Sequence, residues 1–209
     1  MPTTTSILAA LVPLVLATSS TGLATSEAKS ALLIEGVLSG KALRIVVDEE
    51  TAEADVTLDG RRHYLDLDAG KAHRIEADGS AYPTELSAKQ PAPEPEIQPW
   101  GPGPSIAGHA SVYHVMRLDE EICGELLVST WMKPFVDPAV QVLSMLERIK
   151  GDGGIASTGL DGACGKLPFS SYARAGWPLM AGGIDQPIFK TEAISFSYRP
   201  SGDELNWNE

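Results

Sequence analysis

The sequence predicts a mainly β fold (α+β): a curved antiparallel sheet or open half-barrel packed on one main helix at about 137–150. Three observations carry that expectation. Residues 31–77 alternate apolar and polar side chains between closely spaced turn signals. Similar alternation resumes after residue 110 and again after 176. A single segment has the 3.6-residue period of an amphipathic helix with start and stop signals at its ends.

The first half reads as a meander. In Ala42–Asp48, Leu43, Ile45 and Val47 share one face. Asp55–Leu58 runs into Asp59-Gly60, a pair that tolerates the positive φ of a tight hairpin turn. The next strand places His63, Leu65 and Leu67 together, Ala69-Gly70-Lys71 turns the chain, and Ala72–Ile75 returns before Asp78-Gly79. Six of the fifteen prolines then crowd into residues 91–104. Proline at this density gives a stiff extended connector, expected to be a long surface loop within one sheet system.

Beyond it, Ser111–Arg117 and Ile122–Thr130 form a hairpin around Asp119-Glu120-Glu121. The helix follows, with Asp137 as N-cap and Pro138 at its first position. Val140, Leu143, Leu146 and Ile149 make the apolar stripe, widened by Val142 and Met145. Arg148 and Lys150 suit the last turn and Gly151 the stop. The six glycines of 151–166 mark a loop. Strands return from Trp177 to Tyr198, broken by a turn at Asp185-Gln186-Pro187, and 201–209 is a polar tail.

The first 26 residues carry no charged side chain and hold an apolar run, Ile7–Ala17, interrupted by Pro13. That run is far short of the roughly 20 residues a bilayer needs. Followed by small polar residues, it reads as a secretory signal peptide over 1–24, cleaved after Ala24 or Ala28. The remainder, 30–200, is expected to be one β-rich domain, exported and soluble in the periplasm, with no transmembrane segment once the signal is removed. Its net charge of −12 repels nucleic acid and anionic headgroups, so neither is expected as a partner. Cys123 and Cys164 are the only cysteines, and an even pair in an oxidising compartment is normally bridged.

Catalytic signatures are missing from the sequence. Ser157 has the wrong glycine spacing for a nucleophile elbow. Gly165-Lys166 is followed by Leu167 rather than the hydroxyl residue of a phosphate loop. His63 and His73 could face each other across a hairpin near Asp66 and Asp68, but paired histidines on strand faces are ordinarily half-buried side chains, and a zinc site needs three or four ligands. The acidic clusters 48–50 and 119–121 fall at turns, where solvated charge is the default. No catalytic residue, metal or cofactor is expected.

Ile106–Val115 resembles the I-x-G-x-x-x-x-Y-x-V strand entry of LolA-like periplasmic proteins and their uncharacterised relatives. Gly124–Ser129 is similar to the following strand of that family, and Gly176-Trp177-Pro178-Leu179 to its G-x-P-L strand start. The pattern covers about 106–200. The resemblance implies an open half-barrel closed by helices, whose concave apolar face holds lipid or acyl chains, with no catalytic residues. The Pro-rich stretch, the paired cysteines and a single clear helix depart from that pattern.

The expected function is a non-enzymatic periplasmic binding or carrier domain for an apolar small molecule, a lipid or a partner segment. Trp131, Met132, Phe135, Leu143, Leu146 and Trp177 are the candidate lining. The alternative is a structural accessory subunit of a cell-envelope complex, binding another envelope protein through the Pro-rich stretch and the acidic surface, its N-terminal segment retained as an anchor.

Overall fold

In the computed structural model the described residues are 31–48, 50–89, 91–130, 132–151, 154–155, 163–183 and 187–198, with backbone alone for 133–135 and 197–198. The expected signal peptide, its cleavage sites, the 185–186 turn residues, Ser157 and the polar tail lie outside them.

Among the described residues, eleven strands form one antiparallel sheet. In chain order they are β1 (Ala31–Leu38), β2 (Lys41–Asp48), β3 (Glu53–Leu58), β4 (Arg61–Asp66), β5 (Lys71–Ile75), β6 (Ala81–Thr84), β7 (Glu96–Pro102), β8 (Val112–Leu118), β9 (Glu121–Ser129), β10 (Trp177–Gly182) and β11 (Pro187–Tyr198). Helix α1 (Lys133–Leu146) separates β9 from β10. The spatial order is β6-β5-β4-β3-β2-β1-β11-β10-β9-β8-β7, two meanders joined by pairing of β1 with β11.

Topology requires this sheet to curl. Consecutive strands β6 and β7 are its two opposite edges. Ten spacings of a flat sheet would hold those edges about 48 Å apart. The twelve Cα steps from Thr84 to Glu96 reach at most about 43 Å fully extended, and the connector is not straight, because it bridges to Ile149 at Leu86 on its way. The edges therefore turn towards each other. They remain unpaired with one another, so the barrel is open.

The hairpin chemistry read from the sequence holds. Asp59 and Gly60 both take positive φ, 52° and 76°, and Ser39-Gly40 repeats this at the β1–β2 turn with 51° and 77°. In β1 to β4, cross-strand partners carry Leu32, Ile34, Leu43, Ile45, Val47, Ala54, Val56 and Leu65 on a single fully buried face. Val136, Ala139, Val142, Leu143 and Leu146 of α1 join the same core. Ring contacts continue it under β10 and β11: Trp177 meets Phe189 edge-on at 5.8 Å, and Phe169 lies 5.4 Å from both Phe189 and Tyr172.

Three expectations are corrected. The stretch 91–104 is not all loop, since Glu96–Pro102 is edge strand β7, paired only with β8. An edge strand forms its ladder on one side, so a proline there can lack an N–H without leaving a neighbour unpaired. With Pro83 in β6 and Pro99 and Pro102 in β7, both edges carry proline, which blocks pairing with another chain.

The helix starts at Lys133, four residues before Asp137, with Met132 as an N-cap that makes no side-chain hydrogen bond. Pro134 occupies the first turn and Pro138 lies inside the helix. The buried series Met132, Val136, Ala139, Leu143 and Leu146 explains the early start, because it extends the stripe a full turn upstream. That burial offsets an interior proline, which costs about 3 kcal/mol. The helix also ends earlier, at Leu146, as Ile149 leaves to bridge Leu86; Arg148 and Lys150 lie past its last turn.

Finally, His63 and His73 do not face each other. The β4–β5 register pairs Tyr64 with His73 and His63 with Arg74, which puts the two imidazoles on opposite faces.

Candidate functional site

A cleft of about 430 Å³ opens where the connector from β6 to β7 crosses the C-terminal end of α1. Its size falls in the ordinary range for small-ligand sites. Each wall follows from a local feature of the chain.

The first wall is the connector. Ser87 and Arg148 clasp one another: the Ser87 N–H donates to the Arg148 carbonyl at 2.7 Å, and Arg148 Nε donates to the Ser87 carbonyl at 2.9 Å. The Lys150 N–H donates to the Glu85 carbonyl at 3.2 Å, and the two side chains form an ion pair. Pro91, Pro93 and Pro95 favour an extended path for the chain beyond, and Arg174 pairs with Glu94 further along.

The second wall is Gly165–Ser170. Cys164, just before it, is bonded to Cys123 near the start of β9, with Cα atoms 5.1 Å apart. The Ala163 N–H donates to the Glu121 carboxylate at 3.2 Å, a second tie to the same strand. These ties add to the burial of Leu167 and Phe169 in holding the segment against the helix end. The base is formed by Ser144, Glu147 and Arg148 with Ile155. Leu167, Phe169 and Ile155 also belong to, or pack on, the core, so the apolar part of the cleft is the margin of the core itself.

The polar part is mainly cationic. Lys89 and Lys166 are exposed and make no ion pair with a described residue. Arg148 is half-buried between them and the helix. Glu147 is the one carboxylate among the described lining residues. Burial raises its pKa, against the opposing effect of hydrogen bonds from Ser170 and from the Phe169 backbone. The negative end of the helix is largely capped from within the chain: the Leu146 carbonyl accepts from Ile149 and Ile155, and the Met145 carbonyl from Arg148. Cations therefore outnumber carboxylates among the described lining residues, in a chain whose net charge is −12.

Of the lining residues expected from sequence, Met132, Leu143, Leu146 and Trp177 are each 0% exposed and packed in the core. None of them borders the cleft. Trp131 and the Phe135 side chain lie outside the described residues. The indole of Trp177 is fully engaged, donating to Thr191 Oγ1 at 3.0 Å, while that hydroxyl donates to the Pro178 carbonyl. The disulfide expected from the cysteine count is present. What sequence reasoning missed is the meeting of the Pro-rich connector with the glycine loop. Two lysines beside these segments in an acidic chain were the available signal.

Among the described residues, the buried His63, Tyr172 and His114 make no hydrogen bond to one another. His63 is 1% exposed, and neither ring nitrogen has a hydrogen-bond partner, so it holds neither a nucleophile nor an orienting carboxylate. Burial lowers its pKa, and the charges of Arg74 and Arg61 add to the effect. Tyr172 is fully buried with its hydroxyl unpaired, and burial pushes its pKa up to about 12. His114 Nδ1 contacts the Val112 carbonyl. No group of three His, Cys, Asp or Glu residues close enough to hold a metal occurs among the described residues, and no helix among them is long and apolar enough to cross a membrane.

No family model, curated protein or solved structure matches this chain. No catalytic family is thereby indicated.

Proposed function

We propose that this protein is an exported, non-enzymatic binding or carrier domain, related in design to the LolA-like half-barrels, and that it holds a small apolar-bodied ligand in the cleft at the end of α1. The observation that supports this reading is the continuity of the cleft with the core. Leu167, Phe169 and Ile155 offer apolar surface from below, while Ala88, Pro91 and Ala92 offer it from the connector. An apolar body entering there is removed from water on two sides, which is the main source of affinity in such sites. Curvature of the sheet serves this function indirectly. By bringing its edges together, it lets the connector pass over the helix end.

Ligand binding to the native state alone raises stability by RT ln(1 + [L]/Kd), about 2.7 kcal/mol at a hundredfold excess over Kd. Decanol, decanoate and lysophospholipid should be titrated against the full chain, with the melting temperature as readout. At least one should raise it, and Ala92→Trp, an exposed connector position that fills the cleft, should abolish the shift without lowering the ligand-free melting point. Absence of any shift abandons the reading.

The second reading is a structural accessory subunit of an envelope complex. It draws on Trp100, which stands 72% exposed on edge strand β7 with its ring 6.2 Å from Tyr113. Exposed tryptophan beside tyrosine is the composition of a protein-binding hot spot. Co-purification of a stoichiometric partner, lost in Trp100→Ala, would favour it.

A further inference from the structure

Resting on the cleft as the binding site, we infer that its ligand is an anionic amphiphile, an alkyl or acyl chain ending in a carboxylate or phosphate, with the headgroup held between Lys89 and Lys166 above Arg148.

The charge distribution carries this. Among the described residues, three cations and one carboxylate line the cleft. The carboxylate is already committed, since Glu147 accepts the Ser170 N–H at 2.5 Å and the Ser170 hydroxyl at 3.0 Å. Arg148 has its Nε directed to the Ser87 carbonyl, which fixes the guanidinium at the base. Lys89 and Lys166 come from opposite walls, 77 positions apart in the sequence, and carry no ion pair to a described residue.

Like charges carried on opposite walls of one cleft repel each other in the empty state. A single anion between them relieves that repulsion and makes two charge-assisted hydrogen bonds. A neutral headgroup relieves nothing. A cationic one adds a fourth positive charge to the three of Lys89, Arg148 and Lys166.

The test is isothermal titration of the full chain with decanoate, decyl phosphate, decanol and decylammonium, which share one tail and differ in the head. The anions should bind at least about tenfold tighter than decanol, one charge-assisted contact being sufficient for that ratio; decylammonium should be weakest. In Lys89→Ala/Lys166→Ala, both exposed positions, the anion preference should collapse while decanol affinity is kept. Comparison of decanoate with decyl phosphate distinguishes the two headgroups. Equal affinity of decanol and the anions, or an anion preference that survives the double variant, overturns the inference and leaves the binding function standing. If none of the four binds, both fall together.

Discussion

The carboxylate of Glu147, one residue past the end of α1, accepts both the backbone N–H and the hydroxyl of Ser170, at 2.5 and 3.0 Å. This contact joins the helix end to the short 3-10 turn Phe169–Ala173, and it works as a cap, satisfying an N–H at the start of that turn. The price is desolvation of the acid, visible as its raised pKa.

Two substitutions at Glu147 separate bonding from charge. Glutamine can accept from the Ser170 N–H and donate to its hydroxyl, so Glu147→Gln should be no less stable than the native protein at pH 7. Glu147→Ala leaves the N–H unpaired and should lose about 1–3 kcal/mol. The sign of the pH effect follows from the raised pKa: protonated Glu147 suits the fold, so its contribution is full at acid pH and declines as pH rises through the carboxylate range. Urea midpoints at pH 5 and 7 check both points. Equal destabilisation by Gln and Ala would show that the charge itself is needed.

His63 makes the opposite titration. Its folded pKa lies below the usual imidazole value of 6.5, so the stability it contributes is present above that value and is lost as pH falls through the folded pKa. His63→Leu removes two buried nitrogens that have no partners. The variant should match or exceed native stability at pH 7.5 and lose less of it by pH 5. Melting curves across that interval test this; a marked loss at pH 7.5 would mean the imidazole has a partner in solution.

Reduction of Cys123–Cys164 opens a loop of 41 positions that contains all of α1. On the chain-entropy account this removes about 4 kcal/mol. Thiol titration of unreduced, unfolded protein should find no free thiol. Cys123→Ser/Cys164→Ser should weaken binding to the cleft beyond its effect on melting, since Gly165 to Ser170 form a wall of that cleft. Unchanged affinity in the folded double variant would remove the bridge from any role at the site.

Gly36 and Gly40 should respond differently to alanine. A Cβ on Gly36 would sit 2.4 Å from the Lys190 carbonyl oxygen in β11, at the seam that joins the two meanders. Backbone must move to admit it, and a loss of about 2–4 kcal/mol is expected. Gly40 meets nothing within 4 Å, yet its φ is +77°, so Gly40→Ala should cost only about 1 kcal/mol through backbone strain. Denaturant midpoints give the order. A milder effect at Gly36 would imply that the seam between β1 and β11 is loose.

Local chemistry made much of the fold legible. The alternation of Leu43, Ile45 and Val47 and the positive-φ pair Asp59-Gly60 act between residues close in sequence, and both were readable without coordinates. The cysteine pairing was readable because two cysteines leave one partner each. Signals began to mislead where a local preference competed with burial. Asp137 and Pro138 make a sound helix start, yet Met132 and Val136 gain more by extending the helix over the core than an interior proline costs. Proline density at 91–104 suggested a loop because it says nothing about which strands lie at an edge, where proline is tolerated.

By itself, then, the sequence determined strand-forming segments, hairpin turns, one core helix and a disulfide, all set by near-neighbour sterics, periodicity or simple counting. Only the tertiary structure decided that β1 pairs with β11, that the sheet curls to bring the β6–β7 connector over the end of α1, and that Lys89, Arg148 and Lys166 converge on one cleft. The reason is physical. Those contacts join residues dozens of positions apart, and their free energy comes from shared burial and electrostatics that exist only once the chain has closed on itself. A residue's own neighbours in sequence carry no record of them.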